Sequence, residues 1–91
     1  MSYQIRKTDL NQKEIVQGLR ALGYSVRPTH TLGHGFPDLV VGKQGKNLLV
    51  EVKRAGEGLT PDEKDFFQIW QGAVIVGISV EQIHEEFTRL G

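Results

Sequence analysis

The first regular pattern in the chain is an apolar stripe with helical spacing. Its members lie three or four residues apart and would share one face of an α-helix: Ile15, Leu19 and Leu22. Asp9, with Gln12 three residues later, has the pattern of a capping box, and Gly23 is placed to end the helix. The pattern therefore predicts a helix over residues 10–22.

The apolar positions that follow form short runs typical of strands. A strand is predicted over residues 24–27, and two further runs occupy residues 35–42 and 47–54. Four residues of turn character, Lys43-Gln44-Gly45-Lys46, separate the last two runs and would fold them into an antiparallel hairpin. The sequence thus predicts a meander of three strands after the first helix.

A strong helix start follows the hairpin. Thr60, Pro61 and Glu63 combine an N-cap, a proline at the first helical position and a capping-box glutamate, which predicts a helix that runs to Gln71. This helix carries large apolar residues that are more typical of a core or a dimer interface than of a base-stacking platform: Phe66, Phe67, Ile69 and Trp70.

The C-terminal residues predict one more strand and one more helix. The strand covers residues 73–78, and Ser79 caps a helix that carries three apolar residues: Ile83, Phe87 and Leu90. The order of elements is α-β-β-β-α-β-α. Three meandering strands and a fourth that arrives after a helix predict an α/β fold, with a mixed four-stranded sheet flanked by helices.

Three charged residues interrupt the apolar runs of the hairpin. Asp38 lies in the first run, and Glu51 and Lys53 lie in the second. A carboxylate inside an apolar strand costs free energy unless a cation accompanies it, and the hairpin would bring Asp38 and Glu51 together. Side chains alternate along a strand, so Glu51 and Lys53 point to the same face. Oxygen ligands suit Mg²⁺ or Mn²⁺, which support hydrolysis of phosphodiester bonds.

The composition limits the class of protein. The 91 residues suffice for one domain over residues 1–91, and the absence of cysteine excludes both a disulfide framework and a Cys-based zinc site. The same absence favours an intracellular setting. Neither a membrane span nor a signal peptide is predicted.

The formal net charge of +0 argues mildly against nucleic-acid binding, because phosphate contacts usually come from an excess of Lys and Arg. Cations on or beside the hairpin could still make the local field positive: Lys43, Lys46, Lys53 and Arg54. Lysines at a hairpin tip are more often solvated than bound to phosphate, so Lys43 and Lys46 are the weaker candidates.

Two histidines precede the hairpin at a spacing that resembles a zinc site. His30, His34 and Asp38 are each four residues apart, but Gly33, Gly35 and Pro37 interrupt any helix that would bring them together. Two interpretations remain open. His30 and His34 could contact the scissile phosphate from a loop, or they could be exposed loop residues.

The charged hairpin resembles the signature of the PD-(D/E)XK nucleases, and its surroundings resemble the VRR-NUC (virus-type replication-repair nuclease) family within that superfamily. The segments that carry the resemblance are Asp9 to Val16, Gly35-Phe36-Pro37-Asp38, Glu51-Val52-Lys53, and Leu59 to Phe66 followed by Trp70. The resemblance as a whole runs from about Asp9 to the C-terminus. Family members often have Gln where this chain has Glu63, which leaves the role of that position open.

The resemblance implies a restriction-endonuclease-like fold and a set of site residues. The metal ligands carried over from the family are Glu14, Asp38, Glu51 and the backbone carbonyl of Val52, with Lys53 as the catalytic lysine. Without the resemblance, Glu14 would be interpreted as a solvated residue of the first helical turn.

The resemblance also implies an activity. Stand-alone members resemble Holliday-junction resolvases, so the expectation is an Mg²⁺- or Mn²⁺-dependent endonuclease of DNA repair. It would act as a homodimer on branched or four-way junction DNA, in the cytoplasm of a bacterial cell or a phage-infected host. The alternatives are a flap or end-processing nuclease, and a non-catalytic DNA-binding or partner-docking module.

Overall fold

The predicted order of elements is confirmed in a computed structural model that describes residues 7–91. The helices are α1 (Lys7–Ala21), α2 (Pro61–Ile69) and α3 (Val80–Thr88), and the strands are β1 (Ser25–Pro28), β2 (Leu39–Lys43), β3 (Lys46–Val52) and β4 (Val74–Gly77). A short 3-10 helix, His30–Leu32, joins β1 to β2. No helix of the described residues is both long and apolar enough to span a membrane.

The four strands form the predicted mixed sheet in the order β1-β2-β3-β4. The first two pairings are antiparallel, as expected for a meander, and β3 pairs with β4 in parallel. The parallel pairing follows from α2, because a helical crossover returns the chain to the same end of the sheet.

The hairpin turn is tighter than the four residues predicted. Lys43 and Lys46 pair as the last residues of the two strands, so only Gln44 and Gly45 form the turn. Both have positive φ angles, 54° and 78°. Two successive positive φ angles are typical of the two-residue turns that match the twist of a hairpin.

The first helix differs from its prediction at both ends. Because α1 extends back to Lys7, Asp9 lies within the helix and is not its N-cap, and the side chain of Asp9 lies outside the described residues. Leu22 was predicted on the apolar face but follows the helix end and is 44% exposed, whereas Val16 is buried. The predicted stop is confirmed, because Gly23 has a φ of 92° and its N–H bonds to the Arg20 carbonyl.

The second helix begins as predicted and ends two residues early. Thr60 and Glu63 form the reciprocal capping box. The prediction that the helix reaches Gln71 is wrong, because Trp70 has left the helical conformation with a ψ of 125°. The Trp70 ring still stacks on Phe66, one helical turn earlier, at a centroid distance of 5.0 Å.

The two faces of the sheet have different roles. One face packs against α1 and α3 in a core whose fully buried members include Ile15, Leu19, Leu39, Val41, Leu48, Val50, Val52 and Ile83. Glu51, in β3, and Lys53, directly after it, alternate with Val50 and Val52 and extend from the opposite face, which places them toward α2. The fold thus separates the apolar core from a polar site on the α2 side of the sheet.

The outer edge of β4 is closed by a side chain of α3. Gln82 Nε2 donates to the Val76 carbonyl at 3.0 Å, and the Ile78 N–H donates to Gln82 Oε1 at 2.9 Å. The predicted cap Ser79 accepts from the Gln82 N–H at 3.1 Å and fixes the start of α3. This part of the β4 edge therefore has its hydrogen bonds satisfied within the chain.

Candidate active site

Asp38 lies directly before β2, with its carboxylate anchored on the neighbouring strand. The Val52 N–H donates to Asp38 Oδ2 at 2.8 Å, so the carboxylate occupies a position where the ladder would otherwise continue. The backbone on the other side is also fixed, because the Thr29 N–H donates to the Asp38 carbonyl at 2.7 Å. The predicted approach of Asp38 to the Glu51-Val52-Lys53 segment is thus present in the structure.

Glu51 is a buried carboxyl beside Asp38. It is 4% exposed although its neighbours Val50 and Val52 point into the core. Burial, then the hydrogen bond and charge of Asp38 and those of Glu63, raise the pKa of Glu51 to about 9. In the absence of a cation, this carboxyl therefore holds a proton at neutral pH.

Lys53 forms an ion pair with a residue whose site role the sequence left open. Its Nζ lies 2.8 Å from Glu63 Oε1, and the two side chains are 11% and 15% exposed. Burial alone would lower the pKa of Lys53, but the hydrogen bond and charge of Glu63 outweigh it and raise that pKa. Burial likewise opposes ionisation of Glu63, but the hydrogen bond to Lys53 leaves its pKa lowered. Lys53 is therefore an ammonium group at neutral pH.

The Val52 carbonyl points toward Asp38. The N–H and C=O of one strand residue face the same edge, and the Val52 N–H donates to Asp38. The β2–β3 register pairs Leu39 with Val50. If this pairing is continued by two residues beyond the start of β2, Pro37 lies opposite Val52. Proline has no N–H to donate. Position 37 therefore leaves the Val52 carbonyl available from that side of the sheet.

The donor set fits a hard divalent cation. Within residues 7–91, no group of three or more His, Cys, Asp and Glu side chains is arranged to hold a metal ion. Asp38 and Glu51 still form a close carboxyl pair, and burial and the neighbouring Asp38 raise the pKa of Glu51, so ionising both carboxyls would require a nearby positive charge. Mg²⁺ commonly binds through one or two carboxylates and keeps several waters. Asp38, Glu51 and the Val52 carbonyl match that requirement.

The structure does not bring Glu14 into this pair. Glu14 is exposed on α1, next to the buried Ile15. The contact between α1 and the site is made by Asn11, whose Nδ2 donates to the Lys53 carbonyl at 3.2 Å. The sequence offered no signal for Asn11, because an asparagine in a helix is usually solvated.

The two histidines lie in the connection from β1 to β2. His30 begins the 3-10 helix, His34 has a φ of 54°, and both side chains are exposed. No hydrogen bond or ion pair links either histidine to Asp38, Glu51 or Lys53 in the described part of the chain. Both histidines are thus on an exposed loop, and a contact of either with the scissile phosphate stays a prediction.

The remaining cations lie at opposite ends of the hairpin. Lys43 Nζ donates to the Leu22 carbonyl at 2.7 Å and lies 4.9 Å from the centre of the Tyr24 ring, while Lys46 Nζ donates to the Leu90 carbonyl at 2.9 Å. Both lysines belong to the tip, about 17 Å along the strand from Asp38 at the usual rise per residue. Arg54 is exposed and directly follows Lys53. Arg54 is therefore the candidate DNA contact nearest the site.

A shallow groove adjoins Arg54. It has a volume of about 370 Å³ and is lined by Leu10, Asn11, Arg54, Ala55 and Ile78. Because Asn11 also contacts the Lys53 carbonyl, one end of this groove lies beside Lys53.

One solved structure, described as a VRR_NUC domain, matches the chain over nearly its whole length. The alignment has a TM-score of 0.70 and 28% sequence identity, and it covers 96% of this chain and 100% of the other. No family model and no curated protein matches the chain. The match supports the fold and the family that the motifs indicated.

Proposed function

Because the chain is a VRR-NUC domain, a nuclease domain by family, we propose that it is an Mg²⁺- or Mn²⁺-dependent DNA endonuclease. The observation that carries this proposal is the convergence of Asp38, Glu51 and Lys53 on one face of the sheet. We take residues 1–91 to act as one nuclease domain. We place its action on DNA in the cytoplasm of a bacterial cell or a phage-infected host.

Asp38, Glu51 and the Val52 carbonyl are the proposed metal ligands, and Glu14 is a further candidate. A divalent cation held there would polarise the scissile phosphodiester and favour ionisation of a water molecule. The Val52 N–H already holds the Asp38 carboxylate beside Glu51. Glu51 must lose its proton first, because its pKa lies at about 9 without metal.

Lys53 is the proposed catalytic cation. An ammonium group cannot accept a proton, so Lys53 does not serve as the general base while it is paired with Glu63. It can instead donate hydrogen bonds to the attacking water or to a phosphate oxygen, where negative charge develops in the transition state. The expected products are a 5′-phosphate and a 3′-hydroxyl.

The substrate we propose is branched DNA, cut by a homodimer. Ile69 and Trp70 are 71% and 41% exposed, and the Phe36 ring lies 6.0 Å from that of Trp70, so an apolar aromatic surface is present beside α2. Gln82 covers the C-terminal part of the β4 edge, which favours a dimer formed through this surface over strand pairing. A twofold dimer would present two active sites to the two symmetric strands of a four-way junction.

Light scattering tests the dimer. The wild type is expected to have the mass of two chains, Ile69→Glu the mass of one, and Leu22→Glu the mass of two. Leu22 is a matched control because it is 44% exposed and lies at the end of α1. A monomeric wild type would refute the homodimer.

A substrate panel tests the preference for branched DNA. Labelled four-way junction, 5′ flap, 3′ flap, duplex and single strand are incubated with wild type in Mg²⁺, Mn²⁺ or EDTA. Paired nicks in the junction support a resolvase, whereas preferred cutting of a flap or an end favours the alternative nuclease. Binding of junction DNA without cleavage of any substrate would favour the non-catalytic DNA-binding or partner-docking module.

A further inference from the structure

Glu63 connects two elements that are far apart in the sequence. Its Oε1 accepts from Lys53 Nζ at 2.8 Å, so an ion pair joins the end of β3 to the first turn of α2. Both side chains are largely shielded from water, at 11% and 15% exposure. A pair that is shielded in this way holds its geometry better than an exposed pair of long side chains.

The same carboxyl oxygen belongs to the start of α2. The Thr60 N–H donates to Glu63 Oε1 at 2.8 Å, and the Glu63 N–H donates to Thr60 Oγ1 at 3.3 Å. One oxygen therefore accepts from a backbone donor and from the lysine. The backbone donor fixes where that oxygen lies, and the oxygen fixes where the ammonium lies.

The start of α2 is in turn packed against the loop that leads to Asp38. Gly35 has a φ of 77°, and a Cβ at this position would collide with the Asp62 carbonyl. Only glycine allows the two backbones to approach so closely. The loop that precedes Asp38, the first turn of α2 and Lys53 are thus held together as one unit.

We propose that Glu63 is a positioning residue, which holds Lys53 in the active site through its Oε1 atom while that atom caps α2. This inference rests on the proposed nuclease function. Glu63 acts on the substrate through its neighbours, because its Oε1 accepts from Lys53 and from the Thr60 N–H, and its carboxyl also hydrogen-bonds to Glu51. An acceptor oxygen at this position is sufficient, so glutamine should replace glutamate and alanine should not.

The test compares Glu63→Ala, Glu63→Gln and the control Thr60→Ala. Thr60→Ala removes the hydroxyl half of the capping box but keeps the backbone N–H and the ion pair. Single-turnover cleavage in Mg²⁺ is measured with enzyme in excess, together with the Kd for the same DNA. We expect the Glu63→Ala rate to fall by about 10- to 100-fold with little change in Kd, and both Glu63→Gln and Thr60→Ala to stay near the wild-type rate.

Equal rate losses in Glu63→Ala and Thr60→Ala would overturn the proposal, because the effect would then come from the helix cap. A rate for Glu63→Gln as low as that for Glu63→Ala would also overturn it.

A second readout does not depend on cleavage. The side-chain ammonium of Lys53 is observed by ¹H–¹⁵N NMR, where an ammonium shielded by an ion pair exchanges slowly and gives a signal. The signal should be present in wild type, Glu63→Gln and Thr60→Ala and absent in Glu63→Ala. Its persistence in Glu63→Ala would refute the positioning role. A wild type that cuts no DNA would instead contradict the nuclease function, and the ammonium signal would still decide whether Glu63 holds Lys53.

Discussion

Without metal, Glu51→Gln should be more stable than the wild type, by a margin that grows as the pH rises. The pKa of Glu51 is raised from 4.5 to about 9 in the fold, with burial as the main cause. Between these two values the folded state holds one more proton than the unfolded state, so the free energy of unfolding falls as the pH rises through this window. Glutamine resembles the protonated carboxyl in shape and has no proton to lose, so the variant lacks this dependence.

The magnitude follows from the linkage of one proton. A single proton changes the free energy of unfolding by about 1.4 kcal/mol per pH unit. From pH 5.5 to 8.5 the wild type should therefore lose up to about 4 kcal/mol relative to Glu51→Gln.

Urea unfolding in EDTA at pH 5.5, 7.0 and 8.5 measures the difference. The gap between the two proteins should widen with pH and should narrow again when Mg²⁺ is added, because the metal stabilises only a folded state with an ionised Glu51. Parallel pH profiles for wild type and Glu51→Gln would refute the reasoning, since they would mean that Glu51 ionises in the fold as it does in water.

Three further predictions follow from the placement of individual residues. Asp38→Ala should abolish metal-dependent cleavage, whereas Glu14→Ala should reduce it only partly, because Glu14 is exposed and lies outside the carboxyl pair. The measurement is the initial rate of cleavage. An equal loss in both variants would place Glu14 among the essential ligands. The double variant Lys43→Ala and Lys46→Ala should leave the salt dependence of DNA binding unchanged, because both lysines lie at the hairpin tip and their ammonium groups bond to backbone carbonyls. A reduced slope of log Kd against log salt would show that they contact phosphate. Gly77→Ala should lower the free energy of unfolding by about 1 to 3 kcal/mol, because a Cβ there would collide with Val50 and Ile83 in the core, and an unchanged urea midpoint would contradict this packing.

The sequence predicted the parts of the fold that depend on local patterns. The hairpin and the start of α2 are predictable from sequence, because a tight turn and a helix cap each depend on residues that are close together in the chain. The helix ends were less accurate. The end of α2 was placed two residues too late, because Phe66 and Trp70 keep the four-residue spacing of one helical face although Trp70 has already left the helical conformation.

The same distinction explains what was found of the site. Asp38, Glu51 and Lys53 stood out because charges are costly in apolar strands, and the structure places the first two side by side. Glu63 was recognised from sequence as a cap of α2, but its ion pair with Lys53 joins residues on different elements. Asn11 was missed for the same reason, since its contact with the Lys53 carbonyl is long-range.

Cleavage of labelled four-way junction DNA by wild type and Glu51→Gln, in Mg²⁺ and in EDTA, tests the central claim most directly. The predicted result is cutting by wild type in Mg²⁺ alone, with no cutting by Glu51→Gln although it still binds the DNA. Cleavage that survives EDTA, or that survives Glu51→Gln, would contradict a metal-dependent site built on Asp38, Glu51 and Lys53.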